Sequence, residues 1–356
     1  MKTFRSFSLL FSVVLLTACG GGGSGGSGAQ GGGTAPAPVN PAPVTPPPVT
    51  STPGIPVAQG GNVLFVGDTN NQVLAAFDTL APVAANTVLS AKVLKVDSYY
   101  GYGMQLDGAR NLLYIMAGDK AGAQIGVFTD ARNLSGSVRP QRFIAPAIGV
   151  EYVVQSLFLD KANDRLYVGY QEMAMSVRGF MVLEHASTLS GTVAPSRRFH
   201  GTMDTMHFAI DTKRGLLYSK NQRGGGLPVQ VHANIDKASG ELPIAGRFNI
   251  NGNISGLAID EERDRLYVGA NGAGVSVFVD VSKPDPASRI KFTAVPGIGN
   301  AADTVLAFDS IHDRLYAGVG STAYVLEQAS KLGEDAKRTP LGVDAGNRAI
   351  ISGFAF

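Results

Sequence analysis

One short phrase recurs along this chain at a nearly constant spacing. It is an apolar run ending in Asp, a polar turn, and a second apolar run that begins with Leu-Tyr, and it is clearest at residues 257–269. The aromatic residue of the second run marks the copies, at Phe65, Tyr114, Tyr167, Tyr218, Tyr267 and Tyr316. The intervals are 49, 53, 51, 49 and 49 residues. A regular period of this length, built from short strands, predicts a propeller or a solenoid.

Each copy contains four short candidate strands. In the fifth copy they are residues 256–259, 266–269, 275–279 and 290–295. These segments are rich in Val, Ile, Leu, Phe and Tyr and are separated by turn residues, as strands are. No segment of the chain has a sustained apolar period of 3.6 residues, which helices would require. The pattern predicts a β-propeller of four-stranded blades.

The two ends of the array predict how the ring closes. The first copy lacks its leading strand and begins at residues 62–65, whereas residues 352–356 read like the leading strand at 255–259 with no blade after it. Pairing these two ends would leave no sheet edge open, whereas a solenoid would need polar caps. We therefore predict an all-β fold, a six-bladed β-propeller over residues 60–356. Its C-terminal strand joins the N-terminal blade as the innermost strand.

The N-terminal residues have the pattern of an export signal. Residues 1–18 combine a basic start at Lys2 and Arg5 with an apolar stretch, and small residues lead to Cys19. Residues 16–19, Leu-Thr-Ala-Cys, resemble the lipobox of bacterial lipoproteins. The resemblance implies cleavage before Cys19 and acyl chains on that residue, and two or more chains make membrane attachment durable. The alternative is a free Cys near an ordinary cleavage site.

Localisation follows from the same segment. Gly20 follows the cysteine, and the Asp that favours inner-membrane retention in enterobacterial lipoproteins is missing. The resemblance therefore favours an extracytoplasmic protein on the outer membrane, if the host is Gram-negative. Residues 19–59 are predicted to be a lipidated Cys followed by a disordered tether. The tether is Gly/Ser-rich at first and then Pro-rich, with too little apolar surface to fold.

Charge excludes one class of partner. The formal net charge is +2, and both excess charges lie within the predicted signal peptide, so the mature chain carries 28 basic and 28 acidic side chains. A neutral chain without a basic run lacks the clustered Lys and Arg that bind phosphate backbones. Nucleic acid is therefore not expected as a partner. The membrane is expected as one, through the lipid on Cys19.

Two kinds of turn resemble known propeller repeats. Residues 68–78 are similar to the turn between the second and third strands of NHL-type and YVTN-type repeats. Residues 186–195 and their partial copy at 131–140 resemble the hairpin between the third and fourth strands of such repeats in bacterial secreted proteins. The resemblance covers residues 60–356. It implies the fold and no single activity. The fourth copy departs from the pattern at residues 219–226, where a longer loop is expected.

The loops that lead into the innermost strands are the candidate binding residues. In a propeller they surround one mouth of the central channel, and they differ between copies, as binding loops on a rigid scaffold do. The alternative is that they are ordinary solvated loop residues. The candidates are Tyr100, Tyr102, Glu151, Tyr152, Asp204, His207, Asn253, Asn300, Asp303 and Arg348.

Two further sets repeat once per blade. The aromatic residues are interpreted as packing between blades, with hydroxyls that reach a partner at the rim. The strand-ending carboxylates could form a cation-binding ring, but each is interpreted as bonding its own turn, the usual role of Asp there. The arginines that follow the turns are expected to make surface ion pairs of little energetic value. The carboxylates are Asp107, Asp160, Asp211, Asp260 and Asp309.

Two functions are compatible with these observations. The first is a binding or scaffolding module, without catalysis or cofactor, for a protein, a glycan or a small molecule. The alternative is a metal-dependent hydrolase, because six-bladed gluconolactonases and other lactonases resemble the predicted fold. That resemblance implies Glu151, Asn253 and Asp303 as ligands of Ca²⁺ or Mg²⁺, with His207 or Asp204 as the base. The chain has no Trp, which excludes WD-type and quinoprotein propellers.

Overall fold

The computed structural model describes most of the predicted propeller. The described residues are 63–68, 73–78, 92–96, 99–117, 124–175, 177–221, 229–250, 252–271, 274–283, 289–291, 304–320, 322–332, 338–341 and 351–356. All of them belong to one compact unit, Pro56–Phe356. The predicted signal peptide, Cys19 and the tether lie outside the described residues. None of the described helices has the length and apolar character needed to cross a bilayer.

Six antiparallel sheets form the blades, and the strands of each blade are named from the innermost outward. Blade 1 is β27 (Ile351–Ala355), β1 (Val63–Asp68), β2 (Val73–Asp78) and β3 (Lys92–Val96). Blade 2 is β4 (Tyr99–Asp107), β5 (Leu112–Ala117), β6 (Gln124–Thr129) and β8 (Arg142–Pro146). Blade 3 is β9 (Tyr152–Asp160), β10 (Arg165–Glu172), β11 (Arg178–Glu184) and β13 (Arg197–Gly201).

The remaining blades follow the same order. Blade 4 is β14 (Met203–Asp211), β15 (Leu216–Asn221), β16 (Val229–Ala233) and β18 (Gly246–Phe248). Blade 5 is β19 (Asn253–Asp260), β20 (Arg265–Asn271), β21 (Gly274–Val279) and β22 (Arg289–Lys291). Blade 6 is β23 (Thr304–Asp309), β24 (Arg314–Val319), β25 (Thr322–Glu327) and β26 (Arg338–Leu341). The prediction of six four-stranded blades is confirmed.

Ring closure is also as predicted. Strand β27 pairs antiparallel with β1, so that Phe354 lies opposite Val66 and Ala355 opposite Phe65. The innermost strands contact one another in the cyclic order β27, β4, β9, β14, β19, β23 and back to β27. The C-terminal strand therefore completes the blade that the N-terminal segment begins, and it covers the edge of β1 that would otherwise be open.

Short extra strands connect neighbouring blades at the outer rim. They are β7 (Gly136–Val138), β12 (Gly191–Val193) and β17 (Gly240–Glu241). Each belongs to the hairpin before the last strand of its own blade, and each pairs parallel with the outermost strand of the preceding blade. The hairpins at residues 131–140 and 186–195 thus extend two blades from four strands to five. We call these three strands the straps.

The aromatic residue of each repeat packs between blades. Tyr114, Tyr218 and Tyr267 are fully buried. The ring of Tyr267 stacks on Phe308 of the next blade at 5.2 Å between centroids. Its hydroxyl donates to the carbonyl oxygen of Ala329 at 3.1 Å, whereas the hydroxyls of Tyr114 and Tyr218 have no partner among the described residues. The interpretation as core is confirmed, and a rim partner is found for Tyr267.

The strand-ending carboxylates bond their own turns. Asp260 is fully buried; its Oδ1 accepts from the backbone N–H of Arg263 at 3.2 Å and its Oδ2 from Arg263 Nη1 at 2.9 Å. The other four repeat this with the residue three positions later. Because both oxygens of each carboxylate are used locally, the turn interpretation is confirmed and these residues do not form a cation ring.

In blades 2, 3, 5 and 6, a second side chain, four positions after the strand-ending carboxylate, fixes the hairpin that follows the third strand. Asp264 adopts a left-handed conformation (φ 53°), and its carboxylate accepts from Ser282 N at 3.1 Å and Ser282 Oγ at 2.7 Å. The arginine that follows such a turn is not always a surface group, contrary to the sequence-based expectation. Arg314 is only 5% exposed and pairs with Glu327 at 3.0 Å, because the two residues lie opposite one another in the pairing of β24 with β25.

Candidate functional site

The six innermost strands enclose a cavity of about 300 Å³ on the channel axis. Its wall is mainly apolar and includes half-buried phenylalanines at 158, 208 and 308. The polar residues that line the cavity are Gln105, Ser156, Lys161, His207 and Ser255. An apolar concavity with a few polar groups is the usual form of a small-molecule site, and this volume is at the lower end of the range of about 300–1,000 Å³.

Bulges shape the innermost strands near the face where these strands begin. One extra residue is inserted at Gln155, at Ser255 and at Ser352, each opposite a continuous second strand. The insertions are longer in blades 2 and 4, where residues 100–103 and 204–207 each lie opposite a single residue of the second strand. A bulge redirects side chains and is common beside functional sites. Here the bulges face the axis, because each lies on the inner edge of its blade.

The blade 4 bulge carries a buried acid and its partners. Asp204 is 6% exposed, and its Oδ2 lies 3.3 Å from His207 Nδ1. Its Oδ1 accepts from Met206 N at 2.7 Å and lies 3.6 Å from Arg178 Nη1. Burial would raise the pKa of the Asp204 carboxyl, but the bonds from His207 and Met206 and the charge of Arg178 outweigh burial and lower that pKa. The carboxylate is therefore a stable acceptor that orients the His207 ring.

A polar seam joins blades 3 and 4 beside this bulge. Thr205 Oγ1 donates to Gln155 Oε1, and Gln155 Nε2 donates to Gln171 Oε1 at 2.8 Å. Ser156 Oγ donates to the carbonyl oxygen of Thr205 at 2.5 Å. Gly169 permits this close approach, because a side chain at its position would collide with Ser156. These bonds fix the two bulges relative to one another.

Gln105 forms hydrogen bonds to backbone groups on the inner edge of the neighbouring blade. Its Nε2 donates to the carbonyl oxygen of Leu157 at 3.1 Å, and its Oε1 accepts from Leu159 N at 3.3 Å. An innermost strand has no further strand to pair with, so its backbone groups need such partners. The amide of Gln105 thus replaces a missing ladder contact between blades 2 and 3.

Lys161 lies at the opposite mouth, beside the Asp turns. Its Nζ donates to the main-chain oxygen of the last residue, Phe356, at 2.8 Å and lies 5.6 Å from the centroid of the Phe356 ring. Burial lowers the pKa of Lys161, and the charges of Asp107 and Asp309 oppose that shift. The side chain therefore extends from blade 3 across this mouth to the strand of blade 1.

The predicted site residues lie in several different environments. Asp204 and His207 are brought together beside the cavity, as described. Tyr100 and Tyr102 lie in the bulge of β4, and Asn253 and Glu151 are exposed at or just before the first residue of their strands. Tyr152 packs edge-on against Tyr170 at 6.4 Å, and its hydroxyl donates to the carbonyl oxygen of Pro146. Asn300, Asp303, Arg348 and the lipidation residue Cys19 lie outside the described residues.

The alternative metal site is not tested, because it includes a residue outside the described ranges. Within the described ranges, no three His, Cys, Asp or Glu side chains are grouped so as to hold a metal ion. Asp303, one of the three ligands implied by the lactonase resemblance, is not among those residues. Glu151 is exposed, and its carbonyl oxygen accepts from Met173 N at 3.1 Å. Metal-dependent hydrolysis therefore stays a prediction.

Several cavity residues were missed because they lie inside the innermost strands and not in the loops before them. Ser255, Gln105 and Ser156 are examples. One signal was available for Gln105: it precedes the turn aspartate by two positions, where the later copies have Phe158, Ala209, Ala258 and Ala307. A polar residue at an otherwise apolar position of a repeat indicates a special contact. For Ser255 no comparable signal exists, because the bulge in β19 places this residue at the cavity.

Comparisons with known proteins add little to this description. No protein-family model matches the chain, and no curated protein matches it. One solved structure to which it is similar is the crystal structure of Kluyvelomyces marxianus Hsv2, with 14% sequence identity, coverage of 78% of each chain and a TM-score of 0.43. That score carries no argument about fold or function. The assignment of the chain as a six-bladed β-propeller comes from its own sheet topology.

Proposed function

We propose that this protein is an extracytoplasmic lipoprotein, attached to a membrane by acyl chains on Cys19, whose propeller binds a small molecule in its central channel. The observation that carries the binding role is the cavity of about 300 Å³ with its apolar wall and few polar groups. The lipobox-like residues 16–19 support the attachment.

Filling the channel is expected to abolish binding. Ala307 lines the cavity on β23 and is half-buried, so Ala307→Phe would place a ring in the channel. We expect saturation-transfer NMR with a set of neutral aromatic fragments to detect binding to the wild type and to lose it in Ala307→Phe. Ile311→Ala, on a turn residue that is 82% exposed, is the matched control and should bind as the wild type does. Equal binding by Ala307→Phe, with an unchanged melting transition, would contradict a channel site.

Lipid attachment is expected to depend on the single cysteine. In a Gram-negative host, the full chain should partition into the membrane fraction with a mass increased by acyl chains. Cys19→Ser should carry no acyl chains, because one sulfur carries the attachment. Mass spectrometry of the N-terminal peptide measures the mass added by acyl chains in the wild type and in Cys19→Ser. A wild-type protein that carries a free Cys19 thiol would contradict the proposal while leaving the channel proposal untouched.

A further inference from the structure

We infer that this protein binds a soft monovalent metal ion, of the class of Cu(I) and Ag(I), through the thioether sulfurs of Met173, Met175 and Met206. The site lies on the face of blades 3 and 4 where the innermost strands begin. It goes beyond the proposed channel ligand and does not depend on it. Three observations carry the inference: the exposure of these side chains, their position on contacting elements, and the charges beside them.

The first observation is how the methionines are distributed. The chain has eight, and Met1 lies outside the described residues. Four are buried, as is usual for this side chain, whereas Met173 is 54% exposed, Met175 70% and Met206 36%. Single exposed apolar residues are ordinary, but a group of them on one face indicates an interaction. The buried four are Met104, Met116, Met181 and Met203.

The second observation is that the elements carrying these methionines contact one another. Met173 and Met175 lie in the turn between β10 and β11, and Met206 lies in the bulge of β14 in the next blade. Strand β14 contacts both β10 and β11. Arg178, just after the turn, has its Nη1 3.6 Å from Asp204 Oδ1, and the same oxygen accepts from Met206 N at 2.7 Å. One carboxylate oxygen therefore joins the two elements.

The third observation is negative charge beside the turn. Glu172 precedes Met173 in the chain, and the carbonyl oxygen of Glu151 accepts from Met173 N at 3.1 Å. Neither of these two carboxylates forms an ion pair among the described residues. The nearby guanidinium of Arg178 is already held by Asp204. Because thioethers are neutral, a bound cation keeps its charge, and the two carboxylates favour that charge at this face.

The chemistry of the sulfurs selects the metal. A thioether is a soft donor and prefers Cu(I), whereas hard cations such as Ca²⁺ and Mg²⁺ prefer oxygen. Thiolate and imidazole ligands compete with protons for the metal, and thioethers do not. Methionine is unbranched and has three rotatable bonds, so sulfurs on neighbouring elements can turn toward one ion. The Met-x-Met spacing of residues 173–175 supplies two of them from a single turn.

The test follows the methionine methyl groups. It uses the untagged full chain as Cys19→Ser, because a free Cys19 thiol would itself bind a soft metal. With ¹³C-methyl methionine labelling, we expect one equivalent of Ag(I) to give the largest NMR shifts at Met173, Met175 and Met206. Cu(I), measured anaerobically in competition with bathocuproine disulfonate, should bind with the same stoichiometry. If silver shifts none of these three resonances, or only some of them, the inference is wrong.

Leucine variants separate ligation from structure. Met173→Leu, Met175→Leu and Met206→Leu keep the side-chain volume and remove one sulfur each. Each should bind Ag(I) about tenfold or more weakly, at least the loss typical of a second-shell substitution, with a Tm within about 2 °C of the parent. The matched control is Val150→Ala, an exposed residue next to Glu151 that has no donor atom. It should bind as the parent does. Unchanged binding in any leucine variant would overturn the three-sulfur site.

The channel variant distinguishes this site from the proposed function. Ala307 lies two residues before Asp309, whereas Met206 lies five residues before Asp211, so the new ring in Ala307→Phe lies deeper in the channel. This variant should therefore keep its affinity for Ag(I). Loss of that affinity with an unchanged Tm would place the metal inside the channel and overturn the inference. Failure of every aromatic fragment to bind the wild type would contradict only the channel proposal.

Discussion

Phe354→Ala should destabilise the propeller by about 3–5 kcal/mol, the usual cost of removing a buried aromatic side chain. Phe354 is 5% exposed, lies opposite Val66 in the closing sheet, and packs on Tyr316 of blade 6 at 5.8 Å between ring centroids. The substitution therefore weakens the strand pairing of blade 1 and the contact between blades 6 and 1 together. Urea unfolding followed by tyrosine fluorescence measures the change.

Truncation after residue 350 tests the same feature without depending on one side chain. Loss of β27 exposes the inner edge of β1 and opens the ring, so we expect no cooperative unfolding transition. A synthetic peptide of residues 350–356, added in excess, should restore part of that transition, because a missing strand can be supplied by another chain. Ile311→Ala should lie within about 0.5 kcal/mol of the wild type. A truncated chain that unfolds like the wild type would show that closure contributes nothing.

Gly169→Ala should cost about 2–4 kcal/mol, toward the upper range for overpacking a closely fitted core. A Cβ at this position would collide with Ser156 Oγ and would lie 3.0 Å from the carbonyl oxygen and 3.2 Å from the Cβ of Thr205. Both neighbours belong to the polar seam between blades 3 and 4. Because the closest atom is a side-chain oxygen, we expect Ser156→Ala to recover part of the loss in the double variant, as measured by thermal unfolding.

A second glycine provides the contrast. At Gly179 an added Cβ would collide with the backbone carbonyl oxygen of Phe199 and would lie 2.9 Å from His200 Cα. No side-chain substitution can remove that collision, so Gly179→Ala should not be recovered by Ser156→Ala. If the double variant of Gly169 and Ser156 is no more stable than Gly169→Ala alone, the Ser156 hydroxyl is not what excludes a side chain there.

The architecture was predictable because it depends on patterns that every blade repeats. The Leu-Tyr pair after each turn aspartate predicted the position of the second strand in five blades. The Ser-Gly-Phe-Ala-Phe segment at residues 352–356 predicted that the C-terminal strand pairs with β1. Strand lengths were less well predicted: β19 runs from Asn253 to Asp260, against the expected residues 256–259. The reason is the bulge at Ser255, across which pairing with the second strand continues.

The site was less predictable because it depends on where blades differ. Asp204 and His207 were found because they are polar residues before an apolar run, and the structure places both in a bulge beside the cavity. Ser255 was missed because bulges arise from backbone register, which no local residue pattern specifies. Its buried hydroxyl has no hydrogen-bond partner among the described residues, which can be seen only from three-dimensional contacts.

The straps have a consequence for the order in which the chain assembles. Each one lies in a later blade and adds to the outer edge of the blade made just before it, so these contacts span only neighbouring repeats. The growing polypeptide can therefore gain stability stepwise, from its first blade onward. Among the described contacts, those of the C-terminal strand have the largest sequence separation, as in the pairing of Phe65 with Ala355, and they carry the highest entropic cost of loop closure. Folding should accordingly be fast along the chain and slow at that one late step.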